Sequence, residues 1–325
     1  SWEKVSPDLS RNQNRYQLPT MGRVQSVDGA YDLYAMSQYG NITSVDESPL
    51  VEGLLYVGTD DGLIHVSEDG GKSWRKTERI FDVPESFFVN DIKADLHDAD
   101  TVYACLDVHK VGDYRPLVVK SSDRGRSWKL MTGDLPSKHL CWRIVQDHVD
   151  PQLFFLATEF GIFTTLDAGQ KWHKLGGGLP TISFRDLEIQ RREDDLVAAS
   201  FGRSFYVLDN YSLLRHVTAD SLENDLHLYP VRRAFWYLQE NKLGGRKGYQ
   251  GDSLYNADNP DYGVVIDYHV KQGWKSKAAK RKEQEAKVND AGGDVPTASF
   301  AQLQAEEDEV PPRQYLDISD AAGNV

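Results

Sequence analysis

The 325-residue chain is acidic, with a formal net charge of −13 at pH 7 and 40% hydrophobic residues. This charge argues against nucleic acid as the main partner, because phosphate binding depends on an excess of lysine and arginine. No apolar run reaches the roughly 18 residues that span a bilayer, and no signal peptide is visible in the sequence. The length suggests about two domains. The two cysteines, Cys105 and Cys141, are interpreted as buried free thiols.

Four groups of short strands are predicted in chain order, separated by acidic or proline-containing turns. They cover approximately residues 39–79, 85–132, 138–178 and 181–213. Short strands at regular spacing, with turn signals between them, favour an all-β array. Four-stranded units of this length are typical of β-propeller blades. The prediction is therefore a partial β-propeller of about four blades, with strands a, b, c and d in each.

An eight-residue pattern, Ser/Thr-x-Asp-x-Gly-x-x-Trp, lies at the c–d turn of the first three groups. We call these three segments the box turns; they are residues 67–74, 121–128 and 165–172. We expect the Asp to accept hydrogen bonds from backbone N–H groups one or two residues on. The Gly allows a positive φ, and the Trp is expected to pack between neighbouring sheets. The residues given this structural role are Ser67, Asp69, Gly71, Trp74, Ser121, Asp123, Gly125, Trp128, Thr165, Asp167, Gly169 and Trp172.

The two ends of the array are atypical. The fourth group has no box turn and carries residues 204–209 where strand c is expected, as in a terminal repeat. The opening residues, Ser-Trp-Glu-Lys-Val-Ser-Pro-Asp-Leu, are similar to the end of a box turn with its strand d. We therefore expect the chain to begin inside a blade, with the N-terminal blades of the same protein missing.

The box turns resemble the Asp-box, or BNR repeat, of sialidases, some glucan-degrading glycosidases, sortilin-type propellers and photosystem assembly factors. Together with the opening residues, the segments 57–62, 157–161 and 200–209 are similar to the C-terminal half of large bacterial sortilin-like proteins. Proteins of that kind are often called "glycosyl hydrolase, BNR repeat". The resemblance covers about residues 1–270, and it implies a secreted protein, either periplasmic or extracellular. Asp-boxes occur in catalytic and non-catalytic propellers alike, so the resemblance does not decide the activity.

The resemblance also implies a domain division, with the propeller blades over residues 1–214 and a connector over residues 215–260. Residues 261–325 are then the start of an incomplete C-terminal β-sandwich. Residues 263–270 and 315–318 read as its strands. The polar and charged insert, residues 275–312, is predicted to form a solvated helix or to remain disordered.

A candidate site is expected at one face of the propeller. There the b–c and d–a connections meet, whereas the box turns lie on the other face. Charged side chains gather in these connections and near strand a: Asp60, Asp61, Asp107, His109, Glu159 and Arg203, with Arg143 and Arg185. Such a group makes a polar ligand site or a metal site with oxygen ligands. Ordinary turn chemistry is the alternative. No residue is assigned to a metal, and no cofactor is predicted.

Two functions remain open beside a purely structural role. The first is a binding module that takes a peptide or protein ligand in the channel through residues such as Asp61, His109, Arg143, Arg185 and Arg203. The second is an O-glycosyl hydrolase acting on a glycan, which needs two carboxylates about 5 Å apart or roughly 6.5–9.5 Å apart. Its catalytic candidates are Asp60, Asp107 and Glu159. The residues that a sialidase needs cannot be assembled from this chain.

Overall fold

The structure is a computed structural model that describes residues 4–19, 22–29, 39–236, 262–312 and 317–319. The chain divides into two compact units, Ser1–Val217 and Thr218–Val325. Among the described residues, no helix has both the length and the apolar character needed to cross a membrane.

The first unit contains four antiparallel sheets in chain order, each built from consecutive strands. The first sheet contains β1 (Ile42–Glu47), β2 (Leu55–Thr59), β3 (Ile64–Ser67) and β4 (Arg75–Thr77). The second contains β5 (Phe88–Ala94), β6 (Val102–Val108), β7 (Asp113–Ser121) and β8 (Lys129–Leu130). The third contains β9 (Cys141–Gln146), β10 (Phe154–Thr158), β11 (Gly161–Thr165) and β12 (His173–Lys174). The fourth contains only β13 (Phe184–Gln190), β14 (Asp195–Ser200) and β15 (Phe205–Leu208).

Each predicted group of strands corresponds to one sheet, so the all-β fold of partial propeller blades is confirmed. The hydrophobic core lies between consecutive sheets. One cluster joins the first sheet to the second, another joins the second to the third, and another joins the third to the fourth. Both cysteines are buried and free, as expected from the sequence. Sheets that stack face to face around such cores have the arrangement of propeller blades.

The first strands of successive sheets are linked by side chains. The carboxylate of Asp46 on β1 accepts a hydrogen bond from the backbone N–H of Ala94 on β5, at 2.8 Å. The carboxylate of Asp91 on β5 accepts one from the backbone N–H of Ile144 on β9, at 3.0 Å. These bonds cross between sheets because strands β1, β5 and β9 lie side by side, as the inner strands of a propeller do.

The box turns are closed by the Asp, but over a longer span than expected. In the second box turn, Asp123 Oδ1 accepts hydrogen bonds from the N–H groups of Arg126 and Ser127, at 2.9 and 2.8 Å. The acceptor therefore reaches three and four residues on, not one or two. The reason is that two consecutive residues, Arg124 and Gly125, have positive φ values of 56° and 75° and turn the chain back over the carboxylate. The Ser121 hydroxyl accepts from the N–H of Gly125 at 2.7 Å.

The tryptophans of the box turns pack as expected between sheets, to different degrees. Trp128 is buried in the cluster between the first and second sheets, and Trp172 in the cluster between the second and third. Trp74, in the first box turn, is only half-buried, and its Nε1 donates to the Gly71 carbonyl at 2.9 Å.

The fourth sheet has no box turn and is followed by a 3₁₀ helix, Tyr211–His216. This helix is bound to the a–b turn of the third sheet. Tyr211 Oη donates to Asp147 Oδ1 at 2.6 Å, and Arg215 donates to both oxygens of Asp147, at 2.8 and 2.7 Å. Arg215 also donates to Asp194 at 2.7 Å. These buried contacts hold the fourth sheet against the third without a tryptophan.

The second unit contains three helices, α1 (Ala219–Glu223), α2 (Lys277–Asp290) and α3 (Phe300–Glu307), and a two-stranded ladder of β16 (Leu226–Leu228) with β17 (Tyr268–Val270). Of the strand predicted over residues 263–270, only the last three residues are strand. The charged insert is helical, because opposite charges pair across it: Arg281 donates to both carboxylate oxygens of Glu306, at 2.7 and 2.9 Å. Of the strand predicted over residues 315–318, residues 315 and 316 lie outside the described residues. The connector and β-sandwich therefore stay predictions.

Candidate functional site

A cleft of about 550 Å³ opens at the end of the second and third sheets where the b–c connections lie. We call it the blade-end cleft. It is lined by Phe88, Asn90, Asp107, His109, Lys110, Leu140, Trp142, Arg143, Glu159 and Arg185. Five residues proposed from the sequence therefore meet in one place: Asp107, His109, Arg143, Glu159 and Arg185. They come from three different sheets and their connections, so only the stacking of the sheets brings them together.

On one side of the cleft, Asp107 holds His109. Asp107 ends β6 and has only 4% of its side chain exposed. Its Oδ1 accepts from the backbone N–H of His109 at 2.8 Å, and its Oδ2 lies 2.6 Å from His109 Nδ1. The short 3₁₀ helix His109–Val111 then presents Lys110, whose Nζ lies 5.1 Å from the centre of the Phe88 ring. The carboxylate thus orients the imidazole instead of facing the cleft itself.

On the opposite side, Glu159 is held by donors from two sheets. Its Oε2 accepts from Trp142 Nε1 and from the Ser183 hydroxyl, each at 3.1 Å. Arg185 Nη2 lies 3.7 Å from the same oxygen, which is too long for a hydrogen bond. The carboxylate is therefore anchored mainly by neutral donors.

Arg185 is stacked between two aromatic rings. Its guanidinium carbon lies 3.5 Å from the centre of the Trp142 ring and 5.1 Å from that of Phe201. Its Nε donates to the Ser183 hydroxyl at 3.0 Å, and 41% of the side chain remains exposed. In the described part of the chain, its two terminal nitrogens make no hydrogen bond. A stacked guanidinium is held in one orientation, so its free N–H groups are directed in advance.

Arg143 forms the floor of the cleft. Its Nη1 donates to Asp91 Oδ1 at 2.8 Å, and its Nε donates to Asp186 Oδ1 at 3.0 Å. Asp91 is almost completely buried, and this burial raises its pKa to about 6, because the Arg143 guanidinium offsets only part of the lost hydration. Arg143 is thus committed to two carboxylates and links the first strands of the second, third and fourth sheets.

Three residues proposed from the sequence do not line the cleft. Asp60 accepts from the backbone N–H groups of Gly40 and Asn41, each at 2.8 Å. Asp61 is buried and accepts from the backbone N–H of Arg11 at 2.7 Å. Arg203 lies exposed in the β14–β15 connection. The two aspartates therefore anchor neighbouring chain segments, and the roles proposed for all three stay predictions.

Several cleft residues were not proposed from the sequence. Lys110 lies in the same b–c connection as His109, and its position beside Asp107 was the available signal. Trp142 and Ser183 precede Arg143 and Arg185 by one and two residues. Their contribution depends on which face of the sheet turns toward the neighbouring sheet, and strand alternation at the start of strand a was too short to show this.

The metal alternative has no cluster to support it in the residues described. Within those ranges, no group of three or more His, Cys, Asp or Glu side chains is arranged to hold a metal ion. The cleft carboxylates are separated by His109, Arg143 and Arg185, and these cations oppose the approach of another.

No protein-family model matches this chain, and no curated protein matches it significantly. Among solved structures it is similar to the GH74 xyloglucanase from Xanthomonas campestris, with 17% identity and a TM-score of 0.45, covering 58% of this chain and 32% of that one. It is also similar to an ancestral GH74 enzyme, with 20% identity and a TM-score of 0.40, covering 50% and 22%. YCF48 bound to D1 peptide is similar at 16% identity and a TM-score of 0.38, covering 52% and 51%. This chain thus spans about half or less of the length of these proteins, and no function is inferred from such distant likenesses.

Proposed function

We propose that this protein is a ligand-binding propeller module of the sortilin-like, Asp-box kind, which holds an acidic peptide or protein segment in the blade-end cleft. One observation supports this most strongly: the carboxylates of the cleft are occupied, whereas two of its cations are not. Asp107 is bound to His109, and Glu159 is bound to Trp142 and Ser183. Arg185 keeps free N–H groups that suit a ligand carboxylate.

The surroundings of Arg185 support an acidic ligand further. Lys110 and Arg185 both line the cleft, and neither donates a hydrogen bond to a carboxylate within the described residues. An extended peptide places a side chain toward the cleft at every second residue. One Asp or Glu on such a peptide suffices to reach the stacked guanidinium, while its neighbours contact Leu140 and Phe88.

A glycoside hydrolase is the second candidate, because Asp107 and Glu159 line the same cleft. Hydrolysis needs two carboxyl groups that reach the scissile bond. Asp107 is 4% exposed and faces His109, so only Glu159 is open to a substrate. The indole face of Trp142, where a sugar ring would stack, is covered by Arg185. Both features favour binding over hydrolysis.

The test is binding of the full chain to immobilised peptides that differ only in their number of Asp and Glu residues, with a glycan array in parallel. Acidic peptides should bind, and Arg185→Gln should weaken that binding by about tenfold or more, as expected for a lost charge-assisted hydrogen bond. Arg79→Gln is the matched control, since Arg79 is an exposed arginine paired with Glu85 outside the cleft. Equal effects of the two substitutions, or binding of glycans alone, would contradict the proposal.

Hydrolysis is tested separately with a panel of plant, bacterial and sialylated glycans. We expect no turnover. Turnover that disappears in a folded Glu159→Gln variant would make the protein a hydrolase and would overturn the binding assignment. We also propose, from the resemblance of the box turns alone, that the protein is exported to the periplasm or beyond the cell.

A further inference from the structure

The outer edge of the fourth sheet differs from that of the first three. In those sheets the third strand is covered by a fourth strand that starts directly after the box tryptophan. All residues of β3 and β11 are consequently buried. On β15 the side chains of Phe205, Val207 and Leu208 are 72%, 55% and 42% exposed. The apolar character of β15 is that of a covered strand, and its edge has free backbone groups for pairing.

A cavity marks the place where a tryptophan lies in the other sheets. It has a volume of about 250 Å³ and lies between the third and fourth sheets, where Ile162 and Leu175 face Leu196, Tyr206 and Leu208. Trp128 fills the corresponding position between the first and second sheets, beside Ile64. Ile64 and Ile162 correspond, because each lies three residues before the first residue of a box turn. A ring large enough to fill this cavity is therefore required from the strand that covers β15.

The opening segment of the chain already takes one position of a fourth strand. In two interfaces, the residue three positions after a tryptophan lies against the box glycine of the next sheet. Thr77 Oγ1 donates to the Gly125 carbonyl at 3.0 Å, and a Cβ on Gly169 would meet Met131 Cγ at 2.5 Å. Val5 follows Trp2 by three residues, and its carbonyl oxygen would lie 2.6 Å from a Cβ on Gly71.

The segment is fixed there by further contacts. The buried Leu9 carbonyl lies 2.7 Å from Nε2 of His65 on β3. Arg11 donates from Nε to the carbonyl of Asp61 at 2.6 Å. Residues 4–9 nevertheless form no strand in the part of the chain that the structure describes. The segment thus has the position of a fourth strand against the first sheet and has no third strand beside it.

We propose that residues 2–5 of a second copy of this chain form the fourth strand beside β15, with Trp2 entering the cavity between the third and fourth sheets. The first sheet of the second copy then follows the fourth sheet of the first copy, and the stack of blades continues across the contact. This is a head-to-tail interface, which closes into a ring when the rotation between copies permits.

The register of this contact follows from the other sheets. The residue two positions after the box tryptophan pairs with the residue two positions before the box Ser or Thr, as in Lys76 with His65 and Lys174 with Phe163. Extending the β14–β15 ladder by one residue puts Asp209 at the place of the box Ser or Thr. Lys4 of one copy therefore lies opposite Val207 of the other.

The first experiment is sedimentation equilibrium of the full chain over a series of concentrations. The expected species has at least twice the mass of one chain. Trp2→Ala should raise the dissociation constant about 100-fold, which corresponds to the loss of a buried aromatic side chain. Leu208→Lys should weaken association from the other side. Trp274→Ala, a half-exposed tryptophan of the second unit, is the matched control and should change nothing.

The second experiment tests the register and does not depend on the stability of the variants. Lys4→Cys and Val207→Cys chains are mixed under mild oxidation, and a disulfide between copies is expected, because directly opposed residues have suitable Cβ separations. The native Cys105 and Cys141 are buried and should not react. Lys4→Cys mixed with Val45→Cys, an exposed residue on β1, is the control pair. A monomer at every concentration, or equal cross-linking in both mixtures, would overturn the proposal.

Discussion

The box turns and the blade-end cleft both depend on carboxylates, but they use them over different distances along the chain. Asp123 takes its hydrogen bonds from residues within four positions of itself. Glu159 takes its bonds from Trp142 and Ser183, which are 17 and 24 positions away. The first arrangement forms wherever the local sequence occurs, whereas the second requires the correct stacking of two sheets. The comparison separates carboxylates that shape a blade from those that depend on the assembled blades.

The pKa values follow the same division. Hydrogen bonds from Ser73 lower the pKa of Asp69 to about 2. In the second box turn, burial opposes the change, yet the hydrogen bonds from Ser127 lower the pKa of Asp123 to about 2 as well. Under the cleft, burial of Asp91 raises its pKa to about 6. A carboxylate satisfied by several local donors stays charged easily, and one buried between sheets with a single cation does not.

The largest effect on stability is expected at the tryptophan of a box turn. Trp128→Ala should lower the free energy of unfolding by about 3–5 kcal/mol, because it empties the core between the first and second sheets. Urea titration followed by circular dichroism measures this. Trp128→Phe is the control and should cost much less, because it keeps an aromatic ring and removes a buried N–H group that has no partner among the described residues. Similar losses for both variants would show that the ring does not carry the packing.

The second effect concerns pH and the buried carboxylate under the cleft. Because the pKa of Asp91 is raised from 3.8 to about 6 in the folded chain, its contribution is most favourable below about pH 4 and is lost as the pH rises to about 6. The change amounts to about 3 kcal/mol. Asp91→Asn should remove this loss, so the difference between variant and wild-type unfolding free energies should shift over this interval. A constant difference from pH 4 to pH 7 would contradict the prediction.

A smaller effect of opposite sign is expected at the box carboxylate. The pKa of Asp123 is lowered in the folded chain, so its contribution is present above about pH 4 and is lost as the pH falls toward 2. Asp123→Ala should cost about 1–2 kcal/mol at neutral pH, similar to the loss of a helix cap, and the cost should decrease in acid. Ligand binding by the remaining folded protein should be unchanged. Loss of binding at wild-type stability would give the box turn a functional role.

The smallest effect on stability is expected at the exposed side of the cleft. Arg185→Gln removes a partly exposed side chain and should change the free energy of unfolding by less than about 0.5 kcal/mol. Its effect on acidic-peptide binding should nevertheless be the largest of the four variants. Thermal unfolding and peptide binding measured on the same sample check both parts. A large loss of stability would mean that Arg185 supports the fold, as Trp128 does.

The recurrence of one pattern predicted most of the first unit. The spacing of residues 67, 121 and 165, with apolar runs on either side, was sufficient to predict four sheets and their strand order. The missing box turn of the fourth group correctly predicted an atypical final sheet. The second unit was less predictable, because residues 263–270 have the composition of a strand but only Tyr268–Val270 has a strand partner. Strand composition alone does not supply a partner.

For the candidate site, charge and loop position predicted five residues of the cleft but did not separate them from Asp60 and Asp61. All seven are charged residues near strand ends. Gly40, Asn41 and Arg11 satisfy the two aspartates through contacts that no local pattern reveals. The stacking of Arg185 on Trp142 also escaped prediction, because it joins strands from different sheets.

The amino-acid sequence by itself determined the repeated blades and their box turns, since each needs only donors, acceptors and glycines within a few residues of one another. The tertiary structure decided which charged side chains share the cleft, which cations remain open to a ligand, and which strand edge lacks a cover. These properties depend on how one sheet stacks on the next. That stacking is determined by cores that join residues about 50 positions apart, so no single segment of the chain contains the information.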